Sequence, residues 1–131
     1  MAELYQFIDT KGNWDKTVRA DTEKVLAHYK TLKDPTFAIL GLCWGGMVAA
    51  AAAGQLAAEF KVAAMVHPSG ITLDLVKNIS LPTYIITCAG DPDLNDCFIV
   101  LQQKLGTHCG YKRFNDVHHG FAAARGNYSD P

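Results

Sequence analysis

The sequence lacks an excess of charge of either sign. Its 12 lysines and arginines nearly balance its 13 aspartates and glutamates, so the net charge is −1. No basic or acidic block interrupts this balance. Binding to nucleic acid or to an anionic membrane surface depends on such blocks, so neither partner is expected.

Long hydrophobic runs are also lacking. The longest stretch of small apolar residues, 47–53, is far too short to cross a bilayer. The first residues have neither the basic start nor the apolar run of a signal peptide. We therefore expect no membrane association and a cytoplasmic location.

Cysteine is scarce and shows no pairing pattern. The four cysteines (Cys43, Cys88, Cys97 and Cys109) form no CxxC pair, and the five histidines form no HExxH motif. Reduced thiols in a cytosolic protein are therefore expected instead of disulfides or a zinc site. We predict no metal and no cofactor.

The sequence does contain an alternation of helical and strand-like segments. After an irregular lead-in (1–13), helices are expected at 15–32, 47–60 and about 95–105, and strands at 36–42, 61–66, 83–88 and 108–114. The strands are apolar throughout, which is typical of a parallel sheet covered on both faces. The pattern predicts one α/β domain over residues 1–131, with a mostly parallel sheet of about four strands and helices on both faces.

The most informative stretch is residues 41–46, Gly-Leu-Cys-Trp-Gly-Gly, between a predicted strand and a predicted helix. It fits the nucleophile elbow G-x-nucleophile-x-G, with Cys43 in place of the usual serine. A thiol at a helix N-terminus is favoured as the reactive thiolate. The N–H of Trp44 would donate to an oxyanion. The alternatives are a turn with an inert cysteine or a phosphate-binding turn, although no GxGxxG or Lys-Ser/Thr pair is present.

An acid and a base follow in the chain order that an α/β-hydrolase requires. Asp91 directly follows the glycine that ends the third strand, and His119 precedes another glycine after the fourth strand. Asp93 and His118 are the second choices. The alternative interpretations are an aspartate that caps a turn and a pair of surface histidines.

Two further polar residues follow the second strand. His67 and Ser69 lie at the carboxyl end of that strand, where open α/β sheets bind ligands. We expect them to line a substrate pocket, although they could equally well only shape the turn.

Taken together, these motifs resemble the dienelactone hydrolase family, also called carboxymethylenebutenolidases, within the α/β-hydrolase superfamily. The matching stretches are 41–46, Gly90-Asp91, His119-Gly120-Phe121 and Arg125-Gly126. The resemblance implies a partial α/β-hydrolase fold with a Cys43–His119–Asp91 triad. It also implies hydrolysis of small, carboxylate-bearing lactones or esters, with Arg125 near the substrate carboxylate.

The resemblance also implies that this chain corresponds to the C-terminal half of a family member. The early strands and the loop that supplies a second oxyanion donor then have no counterpart. Two other functions therefore stay open: a catalytically impaired fragment or isoform that acts by interaction, and a redox-responsive thiol protein. Strand 36–42 would become a sheet edge through which the chain could self-associate.

Overall fold

A computed structural model describes residues 2–129 of the chain. The chain divides into two compact units, Met1–Thr36 and Phe37–Pro131. The single domain expected for residues 1–131 stays a prediction.

The first unit is helical from its start. Helix α1 spans Ala2–Asp9, a π-helical turn spans Trp14–Val18, and helix α2 spans Arg19–Tyr29. The expectation of an irregular lead-in is wrong for residues 2–9. This segment contains no glycine or proline, and the first helix breaker is Gly12, where we expected the turn.

Helix α2 lies within the helix predicted at 15–32, but little of the apolar stripe formed by its Val25, Leu26 and Tyr29 is buried. Leu26 is buried, whereas Val25, Tyr29 and Leu32 are exposed. A unit of this size has a large surface for its volume and can cover only part of such a stripe.

The second unit contains a parallel sheet. Its strands are β1 (Ala38–Leu42), β2 (Val62–Val66), β3 (Thr83–Ala89) and β4 (Cys109–His118), paired in the order β1-β2-β3-β4. The predicted α/β class and four-stranded parallel sheet are confirmed. Strand β4 is longer than expected because its pairing with β3 continues past a register shift to Ala89 and His118.

Three helices connect these strands: α3 (Trp44–Gln55), α4 (Leu73–Asn78) and α5 (Asn95–Leu105). Strand order follows chain order, so each right-handed crossover places its helix on the same face of the sheet. Helix α4 accordingly contacts both α3 and α5. The expected helix layer on the second face is not found among residues 37–129. Leu40, Val62 and Tyr84 are exposed there.

The core lies between the sheet and helix α3. The five alanines at 49–53 are buried, and Met65 and Ile85 of the facing strands are fully buried. Alanine brings the helix close to the sheet, as its small side chains predict. The α-helix ends at Gln55 instead of residue 60, and a short 3₁₀ turn, Ala57–Glu59, follows it.

Candidate active site

The polar residues singled out from the sequence lie at the carboxyl edge of the sheet. Cys43 directly follows β1, His67 follows β2, Asp91 comes two residues after β3, and His119 follows β4. Because all four strands are parallel, their carboxyl ends meet at one edge.

The turn at Cys43 has the backbone geometry of a nucleophile elbow. Cys43 has φ 54° and ψ −120°, a strained conformation for any residue other than glycine. A Cβ at Gly41 would clash with the main chain of Gly45, and one at Gly46 would clash with Pro68. The two glycines therefore let the chain turn sharply enough to present the sulfur at the start of α3.

Cys43, His119 and Asp91 form a continuous chain of contacts. His119 Nε2 lies 3.3 Å from Cys43 Sγ, and His119 Nδ1 lies 2.6 Å from Asp91 Oδ1. An ionised carboxylate only accepts hydrogen bonds, so Nδ1 carries the proton that it donates to Asp91. Nε2 then accepts the thiol proton, or donates to the thiolate once that proton has moved.

This environment changes the pKa values of both members of the thiol–imidazole pair. Burial opposes ionisation of Cys43, but hydrogen bonds from His119 and Ser69 and the N–H of Trp44 outweigh it and lower the thiol pKa. The hydrogen bond to Asp91, followed by that to Cys43, raises the pKa of His119. Both shifts favour a thiolate beside an imidazolium.

Asp91 is buried and is held by its own turn. Its Oδ2 accepts hydrogen bonds from the main-chain N–H of Cys88, at 2.8 Å, and from the Cys88 thiol, at 3.1 Å. Burial raises the pKa of Asp91, but the hydrogen bonds from His119 and Cys88 overcome this and lower it. No role for Cys88 was predicted from the sequence. The available signal was that Cys88 stands three residues before Asp91, in a turn that contains Gly90.

The second-choice acid and base lie in other interactions. Asp93 accepts hydrogen bonds from the main-chain and side-chain nitrogens of Asn95 at the start of α5. His118 Nε2 lies 3.1 Å from the carbonyl oxygen of Arg125. The geometry therefore brings Asp91 and His119 together and leaves Asp93 and His118 outside the chain of contacts.

Ser69 and His67 contact the proposed nucleophile and base, respectively. Ser69 Oγ lies 3.6 Å from Cys43 Sγ, and the Ser69 N–H donates to the carbonyl of Cys43. The His67 ring is fully buried, 4.9 Å between centroids from His119 and 5.5 Å from Phe121. Burial lowers the pKa of His67, so it is held neutral. Substrate binding by these two residues stays a prediction.

Trp44 and Arg125 were expected to contact the substrate. The Trp44 N–H, at the start of α3, forms a hydrogen bond with the Cys43 sulfur. Arg125 is exposed, and its aliphatic stem lies against Gly120, next to His119. Both positions are consistent with the expected roles, which stay predictions.

One group of described residues has metal-ligand chemistry. Ligand atoms of Cys88, Asp91 and His119 all lie within 4.8 Å of one another. Asp91 already bonds to both of the others, and burial followed by the contact with Asp91 raises the pKa of Cys88 to about 12. A metal would need the thiolate. The hydrogen bonds that Asp91 forms with Cys88 and His119 therefore account for the closeness of these three side chains.

An open cavity of about 330 Å³ lies elsewhere on the sheet. It is bordered by Val62, Thr83 and Cys109, the first residues of β2, β3 and β4. It is thus at the amino ends of the strands, opposite the edge that carries Cys43, and we assign it no part in the chemistry.

The parallel sheet and the cysteine at a strand-to-helix turn are features of an α/β protein of the hydrolase type. Comparison with protein-family models matches residues 2–130 to the dienelactone hydrolase family. The chain therefore belongs to that family, as the motifs predicted. A comparison with curated proteins gives no match. No helix among residues 2–129 is long and apolar enough to cross a membrane.

Proposed function

We propose that this protein hydrolyses small esters or lactones with Cys43 as the nucleophile. Membership of the dienelactone hydrolase family supports hydrolysis of this kind of bond. The observation that carries the proposal is the unbroken contact from the Cys43 sulfur through His119 to the buried carboxylate of Asp91. A nucleophile, a base and a group that orients the base are the parts that acyl transfer needs.

In the first half of the reaction, the Cys43 thiolate attacks the carbonyl carbon and forms a tetrahedral oxyanion. The Trp44 N–H donates to that oxyanion. The C–O bond then breaks, and the imidazolium of His119 gives its proton to the departing alcohol oxygen. An acyl thioester on Cys43 remains.

In the second half, water replaces the alcohol. Neutral His119 takes a proton from the water as its oxygen attacks the thioester carbon. The C–S bond breaks and the carboxylic acid product leaves. Asp91 stays ionised throughout and stabilises the imidazolium that forms in each half.

The proposed substrate class carries a carboxylate near the bond that is cleaved. Arg125 supports this choice because it is exposed, lies on the same turn as His119 and forms no ion pair among residues 2–129. A guanidinium binds a carboxylate through two parallel hydrogen bonds. An Arg125→Gln variant should therefore raise KM for a carboxylate-bearing lactone more than for its neutral analogue.

The direct test measures hydrolysis of a chromogenic ester and a simple lactone. We expect Cys43→Ala and His119→Ala to lower kcat about a thousandfold or more. His118→Ala and Asp93→Asn are matched controls that should retain activity. Mass spectrometry of the stopped reaction should find the acyl group on the peptide that contains Cys43.

Two results would contradict the proposal. Turnover that survives Cys43→Ala would exclude this nucleophile. The second result is rapid oxidation of Cys43 by peroxide in a wild-type protein that hydrolyses no ester. It would favour a redox-responsive thiol instead, a function that the lowered pKa and partial exposure of Cys43 also support.

A further inference from the structure

We propose that Cys88 is a positioning residue that acts on the reaction through Asp91. Its thiol donates a hydrogen bond to the carboxylate oxygen that His119 does not use. This inference rests on the proposed role of Asp91 as the acid of the triad. The site would then contain two thiols with opposite requirements. Cys43 must lose its proton to attack, whereas Cys88 must keep its proton to donate a hydrogen bond.

The two oxygens of Asp91 have separate partners. Oδ1 faces His119 Nδ1, whereas Oδ2 accepts from both the N–H and the thiol of Cys88. With both Cys88 donors on Oδ2, the carboxylate plane is fixed and Oδ1 is left for the imidazole alone. The Asp91 side chain is 1% exposed, so water cannot replace a lost donor.

The turn between the two residues holds this arrangement in place. The Asp91 N–H donates to the Cys88 carbonyl at 3.2 Å, and Gly90 between them has φ 83°, which favours glycine. Cys88 is fully buried at the end of β3. Burial and the neighbouring carboxylate keep the thiol protonated and therefore able to donate.

Loss of the thiol donor should make Asp91 a stronger acceptor for His119. A hydrogen bond to a carboxylate draws charge from it, so removing one leaves more charge on Oδ1 and stabilises the imidazolium further. The pKa of His119 should rise. An imidazolium that holds its proton too firmly returns it more slowly to the departing alcohol, so kcat should fall while KM changes little.

Other titratable groups next to this pair could also shift the His119 pKa, so every protein compared must carry the same residues at those positions. They are Cys43 and His67, which contact His119, and Arg113, which donates to the Asp91 carbonyl at 3.3 Å. Changing Cys43 to serine removes the coupled thiolate. The titration of His119 can then be followed alone by proton NMR.

The experiment compares the full-length Cys43→Ser protein with the same protein carrying Cys88→Ala or Cys88→Ser. We expect the alanine variant to raise the pKa of His119 by about half a unit, since a thiol is a weak donor. The serine variant, whose hydroxyl is a stronger donor than the thiol, should return the pKa to the starting value or below it. In the protein with Cys43 intact, kcat should fall by up to about threefold for Cys88→Ala, the factor that half a pKa unit corresponds to, and recover for Cys88→Ser.

Cys97 provides the matched control because it is a second buried thiol, on helix α5. Among the described residues, it forms no hydrogen bond with Asp91 or His119. Cys97→Ala should leave the His119 pKa unchanged. An unchanged pKa in Cys88→Ala, or no recovery in Cys88→Ser, would overturn the inference. The titration needs no turnover, so a protein that hydrolyses no ester would refute the proposed function while Cys88 is still tested.

Discussion

The four cysteines of this chain differ in the groups that surround each sulfur. Cys43 is partly exposed and its pKa is lowered, against the effect of burial, by hydrogen bonds from His119 and Ser69. Burial raises the pKa of each of the other three thiols. The thiolate is the nucleophile, so reactivity should follow this division.

We therefore expect iodoacetamide at neutral pH to modify Cys43 before Cys88, Cys97 or Cys109 in the folded protein. The lowered pKa keeps more Cys43 ionised at neutral pH than in the unfolded chain. As the pH falls through that lowered pKa, the thiolate is lost and labelling should slow. Peptide mapping at several pH values measures both effects.

A denatured sample is the control, since every cysteine should then label at a similar rate. Cys97 or Cys109 reacting first in the folded protein would contradict the assignment of Cys43 as the activated thiol. Slower labelling of Cys43 in a Ser69→Ala variant would further show that the Ser69 hydroxyl helps to lower its pKa.

At the scale of single elements, the strand-to-helix turn depends on two of its three glycines. A side chain at Gly41 would overlap the main chain of Gly45, and one at Gly46 would overlap Pro68. No atom lies within 4 Å of a Cβ built on Gly45, which occupies the second position of α3. Alanine should therefore destabilise the protein at position 41 or 46 but be tolerated at position 45.

We expect Gly41→Ala to lower the free energy of unfolding by about 3 kcal/mol, since a clash with main chain cannot be relieved by rotating a side chain. Gly46→Ala should be destabilising for a similar reason. Gly45→Ala is the matched control and should be neutral, or stabilising by up to about 1 kcal/mol, because alanine favours the helix. Urea unfolding followed by circular dichroism measures the three values, and equal losses would contradict this account of the turn.

The elements that the sequence predicted best are those with both a hydrophobic pattern and a clear boundary. Strands β1, β2 and β3 lie within a residue or two of their predicted limits, because each is an apolar run bounded by proline, glycine or charge. Helix α1 was missed although Leu4, Phe7 and Ile8 recur at helical spacing, because eight residues are too short a window for that pattern to decide between helix and coil.

Contacts across the sheet were harder to predict than positions along the chain. Cys43, Asp91 and His119 could be chosen because each follows a strand, and parallel strands end at a common edge. The hydrogen bond from Cys88 to Asp91 depends on side-chain direction within a turn. The helix layer of residues 37–129 lies on one face of the sheet because of the strand order, which the hydrophobic pattern does not determine.

On the scale of the whole molecule, the sheet of residues 37–129 exposes apolar side chains on one face, and its two edge strands are β1 and β4. Leu40 is 62% exposed, Tyr84 45% and Val62 41%. Strand β1 is at the edge of the sheet and carries no charged residue. An apolar, uncharged edge strand is a template for pairing with a second chain.

The hydrogen bonds of β1 indicate which groups face outward. Phe37 accepts from the N–H of Lys61 and Cys43 donates to the carbonyl of Val66, so odd-numbered residues face β2. In a parallel strand, alternate residues face opposite sides, so the main-chain groups of Leu40 point away from the sheet. Leu40 thus combines outward main-chain groups with an exposed apolar side chain.

We therefore expect the protein to self-associate through β1, and Leu40→Lys to weaken that association. A lysine on an edge strand disfavours pairing because its charge would lose water in the interface, and the side chain is already exposed, so folding should be unaffected. Ile99→Lys is the matched control, because Ile99 is an apolar residue on α5 with 49% exposure. Sedimentation velocity over a wide concentration range should find larger species in wild type and Ile99→Lys than in Leu40→Lys. A wild-type protein that stays monomeric throughout, or a Leu40→Lys variant that associates as strongly, would exclude this edge as the interface.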